Sequence, residues 1–497
     1  PLTRGADQYV AEWRRSAEPL GLTGTPSSVA ELERVLQDFR DNELVATERT
    51  RRVVAFILRP PFSRLAMPFY RVLANAAIAT MDPQDRALLG LPTRSRVWLR
   101  IAYVGLITLR AILGYESPSQ RLARLAPVRQ KVVFASSRAA ELGGNLRWIH
   151  DALRRELPEA EIVTLLRPLH SGRRNVVLRA LSYLRFMWRT AREIATARIF
   201  IIDDYFFPLY VLPARHGTFA VQTWHASGPF KRIGYAVLDK GFGTNEWSVR
   251  YLPIHTNYAM ALTGSRESAR HYAAAFNMPV GHFVSSIGIP RTDAMFGTDR
   301  IARIGAEIRS RYKIPSGKRV VLYAPTFRGA TVRSATTPQD LDLSALGARL
   351  GEAAVLLVKE HPFVKDRLPI PDALRGFAID VSDYPDINEL MLVSDILVTD
   401  YSSAIFEYAL LERPMAFFAP DLADYEEERS FFWDFRTGVP GPIFTESTAL
   451  ADWLAAPVHD LAPVRAFRSR WIEIADGRSS ERFVRQVVAP LLAGRAP

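Results

Sequence analysis

Two histidines sit where an imidazole could take a proton beside bound anions. His225 lies in Thr223–Trp224–His225–Ala226–Ser227–Gly228–Pro229–Phe230–Lys231–Arg232, just past a strand read at Phe219–Val221. His361 lies in Lys359–Glu360–His361–Pro362–Phe363, past the run Val355–Val358. Ligands of open α/β sheets bind outside the carboxyl ends of the strands, and imidazole is a base at neutral pH. Gly228, Lys231 and Arg232 follow His225 as an acceptor or anion-binding set. A third strand end has a different character. Ile396–Val398 runs into Thr399–Asp400–Tyr401–Ser402–Ser403, and a helix starts toward Phe406 and Leu410. Free backbone N–H groups at such a start suit phosphate. Ser402 and Ser403 add hydroxyls, and Glu407, one turn in, is placed to reach a ribose hydroxyl. Thr326 and Arg328 end a further strand, and the planar fork of Arg328 suits phosphate. The same residue types also serve an ordinary N-capped junction or a structural histidine.

The elements that position these residues alternate as βαβ units. Lys131–Ala135, Glu161–Leu166 and Ile199–Ile202 read as strands, with a helix over Leu146–Leu157 after Gly143–Gly144–Asn145. Ile287–Gly288–Ile289 reads as another strand, and Arg319–Gly329 opens a second α/β domain. The pattern predicts a helical N-terminal region over 1–125 and two α/β domains, over 126–300 and 301–497. Ser28–Val29–Ala30–Glu31 has capping-box spacing. No GxGxxG is present, which removes the dinucleotide fingerprint.

Charge and composition narrow the partners. The chain has 497 residues, 64 Lys and Arg against 52 Asp and Glu, a net +12. That balance favours polyanions. With no cysteine, disulfides, thiolate catalysis and cysteine-bound metals are excluded. Asp203 and Asp204 are neighbours on a strand, so their carboxylates point to opposite faces. No metal site and no cofactor are expected. Val97–Leu113 is apolar but carries Arg100 and Arg110, and falls short of the roughly 20 apolar residues that span a bilayer. From Arg94 to Lys131 eight basic residues face Glu116 alone. Over Arg173–Glu193, helical spacing puts Arg174, Arg185, Arg189 and Arg192 on one side and Leu181, Leu184, Met187 and Trp188 on the other. Either stretch suits an anionic membrane surface or a buried helix with a solvated face. Pro1–Leu2–Thr3–Arg4–Gly5 does not read as a signal peptide, and no recognised nucleic-acid motif occurs.

Four motifs then occur in order: Trp224–His225, Tyr323–Ala324–Pro325–Thr326–Phe327–Arg328, Lys359–Glu360–His361–Pro362 and Thr399–Asp400–Tyr401–Ser402–Ser403. With Pro414 and Ala419–Pro420–Asp421 to Tyr425, the chain over about 130–455 resembles the CDP-glycerol glycerophosphotransferase family of teichoic acid and capsule primases and polymerases. The resemblance implies an α/β GT-B fold, with two Rossmann-like domains facing across a cleft. It implies transfer of glycerol phosphate or ribitol phosphate from a CDP-polyol to a lipid-linked or polyol-phosphate acceptor, with CMP released at the cytoplasmic face of the membrane. The family's paired histidines fall on His225 and His361. Its nucleotide-binding positions fall on Thr326, Arg328, Ser402, Ser403 and Glu407, and Lys359, Asp386, Asn388 and Asp400 are taken with them. Many members read Trp-His-Gly, whereas Ala226 and Ser227 precede Gly228 here. A GT-B glycosyltransferase using a nucleotide sugar, or a non-catalytic protein binding anionic polymers, are the other readings.

Overall fold

The computed structural model describes residues 126–495, apart from 139, 168–175, 212–214, 239–248, 250–252, 330–334, 363 and 365–366. The expected helical N-terminal region, its capping box and the Val97–Leu113 helix lie outside the described residues, as does Arg174.

Two all-parallel sheets of six strands form the frame. In the first the order is β2-β1-β3-β4-β5-β6, with β1 Arg129–Ser136, β2 Glu161–Leu166, β3 Ala197–Ile202, β4 Phe219–Gln222, β5 Met260–Leu262 and β6 Phe283–Val284. In the second it is β12-β11-β10-β7-β8-β9, with β7 Arg319–Ala324, β8 Ala354–Val358, β9 Ala378–Asp380, β10 Ile396–Thr399, β11 Met415–Phe418 and β12 Ile443–Phe444. The central strands are near-continuous apolar runs because helices cover both faces. In β8 all five residues are buried. This is the α/β pair of Rossmann-like domains that the sequence predicts.

The chain's last helices return to the first sheet. Phe483, Val484, Val487, Val488 and Leu491 share a core with Val132, Phe134, Ile199 and Val221. Asp293 accepts from the backbone N–H groups of Ser479 and Ser480 at 2.9 and 2.8 Å, and Arg198 donates to the Leu491 carbonyl at 3.0 Å. The residues after about 478 therefore belong physically to the first sheet.

Three expectations change. Ile287–Ile289 is a turn with Gly288 at φ +82°, not a strand. The strand there is the two-residue β6, which is too short to show a period. Lys131 is 3 % exposed and its ammonium pairs with Glu193 and Thr196, so it adds nothing to a basic surface. In the helix Val176–Thr196, Trp188 is 58 % exposed beside the exposed Arg185, Arg189 and Arg192. It stands one residue before Arg189 and three after Arg185, which at helical spacing places it next to the arginines and not opposite them.

Candidate active site between the two sheet edges

The loop after β4 holds His225 through backbone-directed bonds. Asn145 opens the helix Gly144–Glu156, and its amide donates to the carbonyls of Thr223 and Trp224 at 3.0 and 2.8 Å. Gln222 accepts from the Trp224 N–H at 2.8 Å and donates to the Asp204 carbonyl at 3.1 Å. Trp224 has φ +53°, a conformation that costs about 1–3 kcal/mol for a non-glycine residue and persists only where surroundings enforce it. Its ring is packed by Tyr205, His255 and Phe276.

The imidazole that results lies at the sheet edge with Nδ1 3.8 Å from Asp204 Oδ1. Burial, then the cations Arg138 and Arg291, push the His225 pKa well below the ordinary histidine value. It is therefore neutral at pH 7. Burial also raises Asp204 to about 6, against the opposing pull of Arg138, whose Nε is 3.4 Å from it. Asp203 is raised as well, chiefly by burial.

His361 comes from the edge of the other sheet. Burial, followed by Lys231, Arg138 and Lys359, pushes its pKa down to about 4. Arg138 thus bears on both histidines, and the two sheet edges share one basic region. Phe327 packs on the His361 ring at 4.8 Å between centroids. Ser402 and Ser403 are partly exposed at the start of the six-residue helix Ala404–Ala409, and the Ser402 hydroxyl accepts from the Ala404 N–H at 3.2 Å.

Other sequence candidates have partners of their own. Asp400, 1 % exposed, accepts from the Thr326 N–H at 2.8 Å, the Thr326 hydroxyl at 3.1 Å and the Tyr401 N–H at 2.6 Å. It ties the β7 and β10 ends together. Arg328 spends its fork on Asp421, at 2.5 and 2.9 Å, and on Asp400 at 2.9 Å. Burial opposes that cation, but the carboxylates outweigh it and raise the pKa. Lys359, 7 % exposed, donates to the carbonyls of Ser382 and Tyr384 at 2.9 and 2.6 Å. Asp386 caps the helix Ile387–Val393 by accepting from the Asn388 N–H at 2.9 Å, and Asn388 is 5 % exposed. Glu407, 2 % exposed, meets Ser227 at 2.9 Å and Arg291 at 3.1 Å. Asp400, Arg328 and Glu407 are paired across distant sequence, whereas Asp386 is engaged at its own helix start.

The segment after His225 crosses onto the second sheet's layer. A Cβ on Gly228 would lie 2.1 Å from Phe406 Cε1, so the glycine permits this close approach. The Trp433 indole donates to the Pro229 carbonyl at 2.6 Å, Phe432 N–H donates to Phe230 O at 2.9 Å, and Arg232 N–H to Ser430 O at 3.3 Å. Lys231 Nζ lies 5.2 Å from the centre of the Tyr425 ring. Sequence reading missed Arg138, Asp204, Arg291 and Asn145. The strand-end rule that found His225 also covers Arg138 and Asp204, just past β1 and β3. Nothing in the sequence marks Arg291.

The family model described as CDP-Glycerol:Poly(glycerophosphate) glycerophosphotransferase matches residues 119–489. The chain belongs to this family. It is an enzyme of the polyol-phosphate transfer class, which displaces the nucleotide-sugar and non-catalytic readings. The teichoic acid ribitol-phosphate primase of Bacillus spizizenii is 36 % identical over 376 residues, 75 % of this chain and 95 % of the primase. The teichoic acid ribitol-phosphate polymerase TarL of Staphylococcus aureus is 34 % identical over 361 residues, 72 % of this chain but 62 % of the polymerase. The solved wall teichoic acid polymerase TagF has the same fold, with a TM-score of 0.61 at 23 % identity over 86 % of this chain and 98 % of TagF. A second family model, described as ER-bound oxygenase mpaB/B'/Rubber oxygenase, catalytic domain, matches residues 3–111.

Proposed function

We propose that this transferase moves ribitol phosphate from CDP-ribitol to a hydroxyl of a lipid-linked or polyol-phosphate acceptor, releasing CMP. The observation that carries the reaction is the neutral His225 at one sheet edge, facing a basic region shared with His361 at the other. Asp204 lies on the Nδ1 side, which leaves Nε2 to take the acceptor's proton. The acceptor oxygen bonds to the phosphorus nearest the polyol as the bond to CMP breaks. The leaving charge is met by His361, Lys231 and the donors of the Ser402–Ser403 turn. Ribitol is favoured over glycerol by the relatives. The ribitol enzymes reach 34–36 % identity, and the glycerol enzymes reach 29–32 %.

The acceptor chemistry suits work at an anionic membrane surface, and the exposed Trp188 with Arg185, Arg189 and Arg192 is the feature that fits it. No helix among the described residues is long and apolar enough to cross a membrane. The test is CMP release from CDP-ribitol and from CDP-glycerol with a short polyol-phosphate primer. Product length separates single addition from polymer growth. Release only from CDP-glycerol would overturn the donor assignment.

A further inference from the structure

The polar contact across the two domains at Glu407 has a use beyond holding them together. Glu407 lies in the first turn of the helix that follows Ser402–Ser403. Its side chain is 3 % exposed, among Phe406, Ile405 and Tyr408, which are fully buried. A carboxylate is kept in such a place only when it is paired. Its partners both come from the His225 side. The fully buried Ser227 donates at 2.9 Å, and Arg291 Nε stands 3.1 Å from the same oxygen. The other oxygen has no hydrogen-bond partner. Arg291 also donates through Nη1 to the carbonyl of His225 itself, and its backbone N–H donates to Asn145 Oδ1 at 2.8 Å. That same Asn145 holds Thr223 and Trp224. Two routes therefore run from the donor-side turn to the backbone of the base: Glu407 to Ser227, two residues past His225, and Glu407 to Arg291 to the His225 carbonyl.

We propose that Ser227, Glu407 and Arg291 form an interdomain latch that sets the position of His225 by the seating of the donor-side turn. Glu407 is then a positioning residue, not a ribose ligand. This rests on the transferase reading above. The Ala226–Ser227–Gly228 departure from Trp-His-Gly gains a reason, because Ser227 supplies the hydroxyl and Gly228 lets the segment approach Phe406. A six-residue helix moves as one body, so a shift at Ser402–Ser403 shifts Glu407. A small misplacement of a reacting group costs up to about a hundredfold in rate.

The test compares wild type with Ser227→Ala and Glu407→Gln in three measurements. CMP affinity by calorimetry is expected to stay within about twofold, because no ligand contact is lost. The kcat for CMP release is expected to fall about tenfold in Ser227→Ala and further in Glu407→Gln, with the donor KM nearly unchanged. Backbone hydrogen exchange over residues 222–228 is expected to rise in both variants. A CMP affinity that drops tenfold or more in Glu407→Gln, with exchange at 222–228 unchanged, would make Glu407 a nucleotide ligand and overturn the latch. If wild type releases CMP from neither polyol donor, the transferase reading fails, and the exchange measurement alone decides the latch.

Discussion

A base must be neutral before it can accept a proton, and burial keeps His225 in that form at pH 7. Its neighbour Asp204 has the opposite shift, up to about 6. As pH falls through that value the carboxylate gains a proton, and the negative charge 3.8 Å from Nδ1 that favours an imidazolium is lost. The rate of CMP release is therefore expected to fall on an acid limb near pH 6. Asp204→Asn is expected to lower kcat about tenfold or more and to remove that limb. A limb that survives the substitution would assign it to another group. His361 titrates at about 4 in the free protein, so it is neutral before the donor arrives. A diphosphate beside it raises that value, and binding then takes up a proton just above pH 4, strengthening as pH falls. Calorimetry in buffers of different ionisation heat is expected to show uptake in wild type and none in His361→Gln. The strand-end positions of both histidines were legible because a strand end and a basic neighbour are local features of sequence. The partners of Asp400, Arg328, Lys359 and Glu407 were not legible, for the opposite reason. Their partners come from remote segments, as with Arg328 and Asp421, 93 residues apart, or Glu407 and Ser227, 180 apart.

At the scale of elements, the site depends on loops pinned to strand ends. Asp400 joins the ends of β7 and β10 through four donors. Asp400→Asn turns an acceptor-only carboxylate into a group with one oxygen, and leaves a buried donor unmet at about 1–3 kcal/mol. The thermal unfolding midpoint is expected to fall while the folded protein binds CMP within about twofold of wild type. Weakened CMP binding at an unchanged midpoint would return Asp400 to the ligand set. Strands were the easiest elements to read. β2 matches its sequence range end to end although it is an edge strand with only Leu165 buried, and the inner strand β8 is read within one residue because it is an unbroken buried apolar run. Gly288 deceived because isoleucines flank it, and φ +82° is invisible in a sequence.

At the scale of the molecule, the two six-stranded sheets and a returning C-terminal segment pack together among the described residues. The apolar residues of Arg482–Leu492 fill the first sheet's core. The outer helix Val176–Thr196 serves no such packing at Trp188. Vesicles containing anionic lipid are expected to co-sediment the protein. Trp188→Ser with Arg189→Glu is expected to weaken that at least about fivefold, at roughly 1 kcal/mol per surface cation plus the lost indole. Equal binding by the double variant would remove this face from the membrane contact. The central claim is tested most directly by acceptor-dependent CMP release from CDP-ribitol, with His225→Ala beside wild type. Release by wild type and a loss of about a hundredfold or more in the variant, with CMP binding intact, is the expected result. Undiminished release by His225→Ala would contradict the account.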